Sequence, residues 1–564
     1  MQHWYQPHPY GVLPKGNAMG DESLQLCRRM GSLYTARDRS EADELECTLE
    51  LVSFLDPISA CRLSSTCSAW YAFLHVSDFW KRLYQSLSPE RLRFRKDWKT
   101  SCIHAWEAHR IQQTKVLLQN GDMTTGRRSV SARAVNFTHR PMRCDRPIFN
   151  DILFQSWMCT IMPMDYRLIK VAPMPRKEGD KASSSYGGGE CSSDDDMGAG
   201  SVCRPRHAER GAADAPAARW QYKSKLKPIP RADGSRMSPD DFQATYERAG
   251  VPVILTGIAT QWPIYSILQG SFRRMAQPEL FRGGTQDTPM RCEHTTMTAA
   301  EYLEYATTQN DERPIYLFDA EFGDALRADS LFTVPPMCAV DDYFNVMGKD
   351  RPKYRWLIAG PARGGSSFHV DPNMTHAWNA CLTGRKRWIL FPPNEPPPGV
   401  HPSEDMSEVT TPVSLTEWLM NFYDESVAKL KNCGYEGVCE EGEVMYVPAG
   451  WWHFVVNLED SVALTQNYVS RTNLPKVIQF LRTMKSSISG VDEDADGANM
   501  QMVARRREGF AEEFVAAMRV SHREITKDAE QLLEDAATAR RNKRPREVKV
   551  EMLEAESDGF SFSF

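Results

Sequence analysis

The sequence predicts a multidomain α+β fold: a small helical bundle, then a jelly-roll of two facing sheets (a double-stranded β-helix), then a helical C-terminal extension. Three observations carry this. Apolar residues recur at helical spacing between Leu49 and Leu83. From 251 to 468, short runs of strand formers alternate with turns rich in proline and glycine. Finally, Phe510, Phe514, Met518, Ile525 and Leu532 form an apolar stripe within 508–540.

At 564 residues the chain has room for two or more domains with sizeable cores. A formal charge of −6 argues against a generally basic coat for nucleic acid, so any basic contact must be local. The 14 cysteines include no CxxC pair and have no His-x3-His partner, which argues against a structural zinc site. The opening MQHWYQPHPYGVLPKG lacks a basic region followed by an apolar one, and no run approaches membrane-spanning length. An intracellular chain with reduced thiols and no membrane partner is expected.

Taken in order, residues 1–43 are polar without a sustained period and are expected to form a mobile arm. In 44–90, Leu49, Val52 and Phe54-Leu55 make one apolar face that Asp56-Pro57 stops and restarts. Ile58, Leu63, Cys67 and Trp70 continue it, followed by Phe79-Trp80 and Leu83. The connecting region 91–175 begins helical and becomes mixed; its DILFQSWMCTIMP segment is expected to pack on the following domain. Residues 176–216 are Gly-, Ser- and Asp-rich and cannot bury enough apolar area to offset chain entropy, so they read as a linker. The strand-rich domain spans 217–475. In it Ser238 caps a helix over Pro239–Arg248, VPVILTG is a buried strand, Thr298–Ala306 is a helix and Tyr316 sits on a further strand. Helices follow over 476–540, then a tail over 541–564. A basic cluster, ARRNKRPREVKV, runs from Ala539 to Val550.

The chemistry concentrates in Ser366–Phe391, SSFHVDPNMTHAWNACLTGRKRWILF. His369 and Asp371 are two apart, so an extended strand presents both on one face. Asp371-Pro372 ends that strand. The runs His376–Leu382 and Arg385–Phe391 flank Thr383-Gly384 and predict a β-hairpin. That pairing puts Asn379, Cys381, Lys386 and Trp388 on one face, where a buried lysine calls for an anion. His453, after the Pro-Ala-Gly turn of GEVMYVPAGWWHFVVNL, is the third ligand. Two histidines and a carboxylate make the facial triad of non-haem Fe(II) oxygenases, leaving three positions open. A bidentate 2-oxo acid can take two and O2 the third, with Lys386 as the cation for the far carboxylate. His376, on the other face, and His401, in a proline-rich loop, read as non-ligands; Trp451 and Trp452 read as wall and core.

HVDP…AWNACLTGRKRWILFPP with YVPAGWWHFVVNL…ALTQNY resembles the JmjC (jumonji C) family of cupin-type oxygenases, nearest its arginine-demethylase/lysyl-hydroxylase branch, over roughly 220–475. The resemblance implies iron on His369, Asp371 and His453. It also implies 2-oxoglutarate held by Lys386 with Ser366, Asn379, Thr465 and Tyr316, and it turns Thr465 and Asn467 inward. Ser366 replaces a threonine common there and keeps the hydroxyl. Upstream, SFLDP…L…TC..W…FW…LY resembles an F-box, departing from it at Asp43-Glu44 and Cys47-Thr48; this implies a Skp1-type adaptor, the plainer reading being a structural bundle.

The expected activity is that of an Fe(II)- and 2-oxoglutarate-dependent dioxygenase acting on lysine or arginine side chains of a protein, by hydroxylation or demethylation, with the F-box linking it to a ubiquitin ligase. The alternative is an F-box receptor or scaffold whose JmjC domain only binds a client. The C-terminal stripe either packs on its own domain or pairs two copies in a homodimer. The basic cluster reads as a nuclear-import signal, as an RNA or histone contact, or as a solvated tail; a nuclear protein, also present in cytoplasm, is expected.

Overall fold

The carboxylate of Asp56 accepts from the backbone N–H groups of Ile58 and Ser59 at 2.9 and 3.1 Å, with Pro57 at the first helical position. The restart expected at Asp56-Pro57 is therefore a capped helix N-terminus. The computed structural model describes residues 8, 11–13, 52–66, 68–87, 91–119, 148–149, 151–162, 225–282, 287–293, 295–326, 328–393, 395–403, 406, 408–491 and 500–543. The linker expected at 176–216, the tail beyond 543 and most of the basic cluster lie outside them. Within the stretch expected as an arm, Val12–Leu13 (β1) pair in parallel with Ile148–Phe149 (β2), and Val12 is fully buried.

Helices α1 (Pro57–Ser64), α2 (Ser68–Phe73) and α3 (Ser77–Ser86) form the bundle, and α4 (Trp98–Gln119) follows. Phe73, Leu74 and Trp80 are buried in it, in a core continuous with that of the strand-rich domain. Polar ties cross between the two. Trp98 Nε1 donates to the Asp311 carboxylate at 2.8 Å, and the Lys81 ammonium to the Arg313 carbonyl at 2.9 Å. Helix α5 (Asp151–Ile161) docks on the same domain, Ser156 donating to Glu312 at 2.5 Å and Gln155 to Glu417 at 3.1 Å.

Two sheets build the domain. The larger has nine strands in the order β4 (Arg231–Asp233), β5 (Val253–Thr256), β16 (Val444–Val447), β11 (His376–Thr383), β18 (Ser461–Tyr468), β9 (Arg355–Gly360), β8 (Leu317–Asp319), β6 (Met290–Cys292) and β7 (Thr295–Met297). The smaller has five: β10 (Gly365–His369), β17 (Trp452–Asn457), β12 (Lys386–Phe391), β15 (Tyr435–Cys439) and β3 (Lys227–Pro228). A small separate pair, β13 (His401–Pro402) and β14 (Val409–Thr410), lies outside both. The inner faces meet through Ala377, Cys381, Trp388, Leu390, Met445 and Val455. Trp378 and Leu464 face the other way into the core shared with the bundle, and Ile389, Phe391 and Phe454 face out under the helices Leu415–Asn421 and Tyr423–Leu430. The helix expected over Pro239–Arg248 starts at a Ser238 cap but widens into a π-turn over Gln243–Glu247.

The structure corrects the predicted hairpin. β11 pairs with β16 and β18, and β12 pairs with β15 and β17, so the two runs lie in opposite sheets. At the crossing Gly384 takes φ 72°, and Thr383 Oγ1 accepts from the Val462 N–H at 3.0 Å. The expected grouping survives for a different reason: alternation sets Asn379 and Cys381 on the inner face of one sheet and Lys386 and Trp388 on that of the other.

The C-terminal extension comprises Leu474–Thr483 (α6), Met500–Ser521 (α7) and Arg523–Lys543 (α8). Phe510, Phe514 and Met518 are buried against Tyr343, Phe344, Val477 and Ile478, so that part of the stripe packs within the chain, while Leu532 is 59% exposed.

Candidate active site

β10 and β17 run antiparallel with His369 directly opposite His453, their ring centroids 4.1 Å apart. The register slips between Ser366 and His369, and this bulge turns both residues, three apart, toward the interior. Asp371 brings its Oδ2 to 4.0 Å from His453 Nε2, and the ligand atoms of the three residues all lie within 4.8 Å of one another. The chain then takes two consecutive left-handed residues, Asn373 at φ 55° and Met374 at φ 57°, at a cost of roughly 1–2 kcal/mol each.

Each histidine is oriented through its other nitrogen. His369 Nδ1–H donates to the Ser367 carbonyl at 2.8 Å and His453 Nδ1–H to the Trp451 carbonyl at 3.0 Å. A carbonyl can only accept, so both rings carry their proton on Nδ1 and present bare Nε2 lone pairs. Burial, reinforced at His369 by the neighbouring His453, holds both rings down to about 4. Burial likewise pushes Asp371 up to about 6. At neutral pH the cluster is two neutral imidazoles and a carboxylate whose buried Oδ2 has no hydrogen-bond partner. That donor set fits a divalent transition metal with positions left open.

The second half of the site lies on β12 and its neighbours. Lys386 is 1% exposed and donates to the Tyr316 hydroxyl at 2.8 Å, and among the described residues no carboxylate pairs with it. Asn379 Oδ1 is buried without a partner on the facing sheet. Thr465 is also inside, but its hydroxyl proton is committed to the Trp378 carbonyl at 2.8 Å, leaving it an acceptor only. Ser366 is half-buried and, with His369 and Tyr316, lines a cavity of about 1290 Å³. All eight sequence-derived positions thus face the interior or its mouth.

The expected non-ligands are used elsewhere. The Nδ1 of His376 accepts from the Ala449 N–H at 2.9 Å, and its Nε2 bonds to Thr472 Oγ1 at 3.0 Å, outside the triad. His401 is exposed on β13 and Trp452 is core. Sequence reasoning missed Asn457, which stands opposite Lys386 in the β12–β17 register with a buried, unpartnered Oδ1. An asparagine inside the apolar run WWHFVVN was the available signal. Trp388 lies nearly parallel to His453, centroids 6.0 Å apart, and walls the cluster.

Residues 239–473 match the cupin-like domain family and residues 45–86 the F-box-like family. The chain is 40% identical over 332 residues to the arginine-specific demethylase JMJ22 of Arabidopsis thaliana, covering 58% of this chain and 60% of that one. It is 42% identical over 248 residues to the lysine-specific demethylase JMJ21 of the same plant, covering 42% of this chain and 25% of that one. With the bifunctional arginine demethylase and lysyl-hydroxylase psr-1 of Caenorhabditis briggsae it shares 34% identity over 264 residues, 44% of this chain and 65% of that one. The matched regions span less than two thirds of each relative's length. The three residues that could hold a metal and the buried Lys386, set between two sheets, lie within the cupin-like match, and the F-box-like match covers the helical bundle upstream.

Proposed function

We propose that the protein is an Fe(II)- and 2-oxoglutarate-dependent dioxygenase acting on lysine or arginine side chains of a protein substrate. One observation carries this reading: the bare donor atoms of His369, Asp371 and His453 and the buried Lys386–Tyr316 pair face the same interior, with His369, His453 and Lys386 on the adjacent strands β10, β17 and β12. When bound, iron with 2-oxoglutarate and O2 supplies C–H hydroxylation coupled to decarboxylation of the co-substrate to succinate. Hydroxylation of carbon leaves an alcohol; on an N-methyl group it releases formaldehyde and demethylates the nitrogen. In this chain the two imidazoles and Asp371 hold the metal, Lys386 and Tyr316 hold the far carboxylate, and Trp388 keeps water from the inner side. The substrate reaches His369 through the cavity that Ser366 lines. The names of the relatives, acting on arginine and lysine, support that substrate class.

The test is incubation of iron-loaded protein with 2-oxoglutarate and a library of methylated and unmethylated peptides, following succinate and peptide mass together. One added oxygen marks hydroxylation; loss of one methylene marks demethylation. His369→Ala and Asp371→Ala are expected to abolish succinate production while the protein stays folded. Full turnover by either variant rejects the assignment.

The F-box-like bundle is proposed to recruit a Skp1-type adaptor, supported by the family match and by Phe54, an apolar side chain left 79% exposed just before the α1 cap. A pull-down with adaptor should succeed and weaken on Asp56→Ala; failure to recover adaptor leaves the segment a structural bundle. For the basic cluster Ala539–Val550 we favour nuclear import over RNA or histone contact, to be tested by neutralising Arg544 and Arg546 and locating a tagged protein. A homodimer has less of the C-terminal stripe to use, since Phe510, Phe514 and Met518 are buried within the chain.

A further inference from the structure

We infer that the C-terminal extension sets the metal geometry: Asn373, Asn473 and Ser489 clamp the turn that carries Asp371, and the two asparagines are positioning residues for that ligand. The inference rests on the metal-centre reading and assigns a role to a segment that supplies no ligand.

Residues 370–375 carry the chain from β10 in one sheet to β11 in the other, outside both ladders. Something else must hold them. Asn373, 3% exposed, spends its whole amide on one residue of the extension: Nδ2 donates to the Ser489 carbonyl at 3.0 Å, and the Ser489 N–H donates to Oδ1 at 3.2 Å. This reproduces with a side chain the paired bonds of two strand residues. Asn473, 1% exposed at the start of α6, accepts from the Ser470 N–H at 2.8 Å and donates to the Met374 carbonyl at 3.0 Å. Both left-handed residues after Asp371 are therefore gripped, one through its side chain and one through its carbonyl.

The sheet grips the turn from the opposite side. Asn467 on β18 donates to Thr375 Oγ1 at 2.8 Å, and Thr375 Oγ1 donates to the Pro372 carbonyl at 2.7 Å. The extension is anchored in its turn to the sheet: the Lys353 N–H donates to the Gly490 carbonyl at 2.9 Å, two residues before β9. Gly490 has φ 78°, and a Cβ there would come within 2.8 Å of the Lys353 nitrogen, so the seam requires glycine. A backbone that departs twice from the right-handed region is held in one conformation only if its surroundings over-determine it. Asn467 holds the turn from the sheet side through Thr375; the extension holds the two left-handed residues that follow Asp371.

Asparagine is also among the residues that tolerate a left-handed backbone, so Asn373 has two explanations, and glycine separates them. Asn373→Gly keeps φ 55° without strain but removes the amide. Cobalt(II) titrated into the full-length protein, followed by its visible absorption, reports affinity and ligand geometry without any turnover. With a clamp, Asn373→Gly should stay folded by circular dichroism yet bind Co(II) about tenfold or more weakly with an altered band. Asn473→Asp, which keeps the acceptor for Ser470 and loses the donor to Met374, should move both readouts the same way; should Asn373→Gly fail to fold, Asn473→Asp decides alone. Wild-type affinity and an unchanged band in the folded variants overturn the clamp. A wild-type protein that gives no Co(II) band rejects the metal-centre reading itself, and the clamp with it.

Discussion

The ammonium of Lys386 donates to the hydroxyl of Tyr316 across 2.8 Å, and both residues are buried. The lysine comes from the five-stranded sheet; the tyrosine precedes β8 of the nine-stranded one. A cation so placed, with a phenol for a partner, is costly unless an anion shares the site. A charge-assisted hydrogen bond to a carboxylate contributes roughly 1.5–3 kcal/mol, or about tenfold to a hundredfold in affinity. Lys386→Ala should raise the 2-oxoglutarate requirement by that order in a succinate assay and leave Co(II) binding almost unchanged. Tyr316→Phe should produce a smaller shift in the same direction. Unaltered 2-oxoglutarate affinity in Lys386→Ala would place the co-substrate elsewhere.

Gly360, the last residue of β9, makes room for that tyrosine. A Cβ on it would overlap the Tyr316 ring and lie 3.1 Å from Asn457 Nδ2. Gly360→Ala must therefore displace Tyr316 from Lys386 while leaving in place the proposed metal ligands His369 and His453, on β10 and β17, and Asp371 on the turn beyond β10. Its expected phenotype is a raised KM for 2-oxoglutarate resembling that of Tyr316→Phe, with metal affinity retained. A substitution that lowers metal affinity as much as co-substrate affinity would mean the alanine disturbs the sheet rather than the tyrosine.

Reading the sequence reached the site better than the pairing that builds it. The His369, Asp371 and His453 cluster was legible because metal binding demands particular side chains at particular spacings; the expectation that one strand presents His369 and Asp371 is corrected, since β10 ends at His369 after a bulge and Asp371 lies on the turn beyond it. Sheet membership was not legible. Thr383-Gly384 encodes a reversal, but nothing nearby says which sheet receives the following strand; β11 takes its partners from residues 444–468, far downstream. Alternation is a property of each strand alone, so Lys386 and Trp388 share a face of β12 whichever sheet receives it. Burial of charge was equally hidden: Glu436, the partner that lets Arg387 be buried, lies 49 residues later. The clamp on Asp371 draws on Asn473 and Ser489, whose polarity alone marks no particular role.

Arg387 and Arg385 flank Lys386 and should separate sharply. Arg387 is fully buried on the outer face of β12, its guanidinium 2.6 Å from a Glu436 oxygen, while the Tyr423 hydroxyl donates to the other oxygen at 2.8 Å. Removing one partner of a buried pair typically costs about 3–5 kcal/mol because the other charge stays desolvated. Arg387→Ala should therefore lose most of its stability in urea denaturation. Arg385 pairs with Glu440 at 2.7 Å where the glutamate side chain is 41% exposed, a setting worth about 0–1 kcal/mol. Arg385→Ala should denature near the wild-type midpoint and keep its 2-oxoglutarate requirement. Equal midpoints for the two variants would contradict the burial of the Arg387–Glu436 pair.

The helical bundle and the sheets should also melt together, and Trp98 is where to ask. Its indole N–H donates to both oxygens of Asp311, at 2.9 and 2.8 Å, and Tyr305 adds a bond at 2.7 Å. Phe94 stacks edge-on against Tyr305 at 5.0 Å, closing the joint. Burial raises the Asp311 carboxyl above its ordinary range, so the folded state holds this proton more tightly than the unfolded one. That contribution is fully present below the unfolded pKa and is lost as pH rises through the folded one. Trp98→Phe keeps most of the ring volume and deletes the donor, leaving the ionised carboxylate underbonded at roughly 1–3 kcal/mol. The deficit should therefore grow from acid toward neutral pH. In urea titrations followed by circular dichroism and fluorescence, both probes should shift together in a single transition. Two transitions, only one of them moved by the substitution, would show that the F-box-like bundle and the cupin-like domain fold independently despite their shared core.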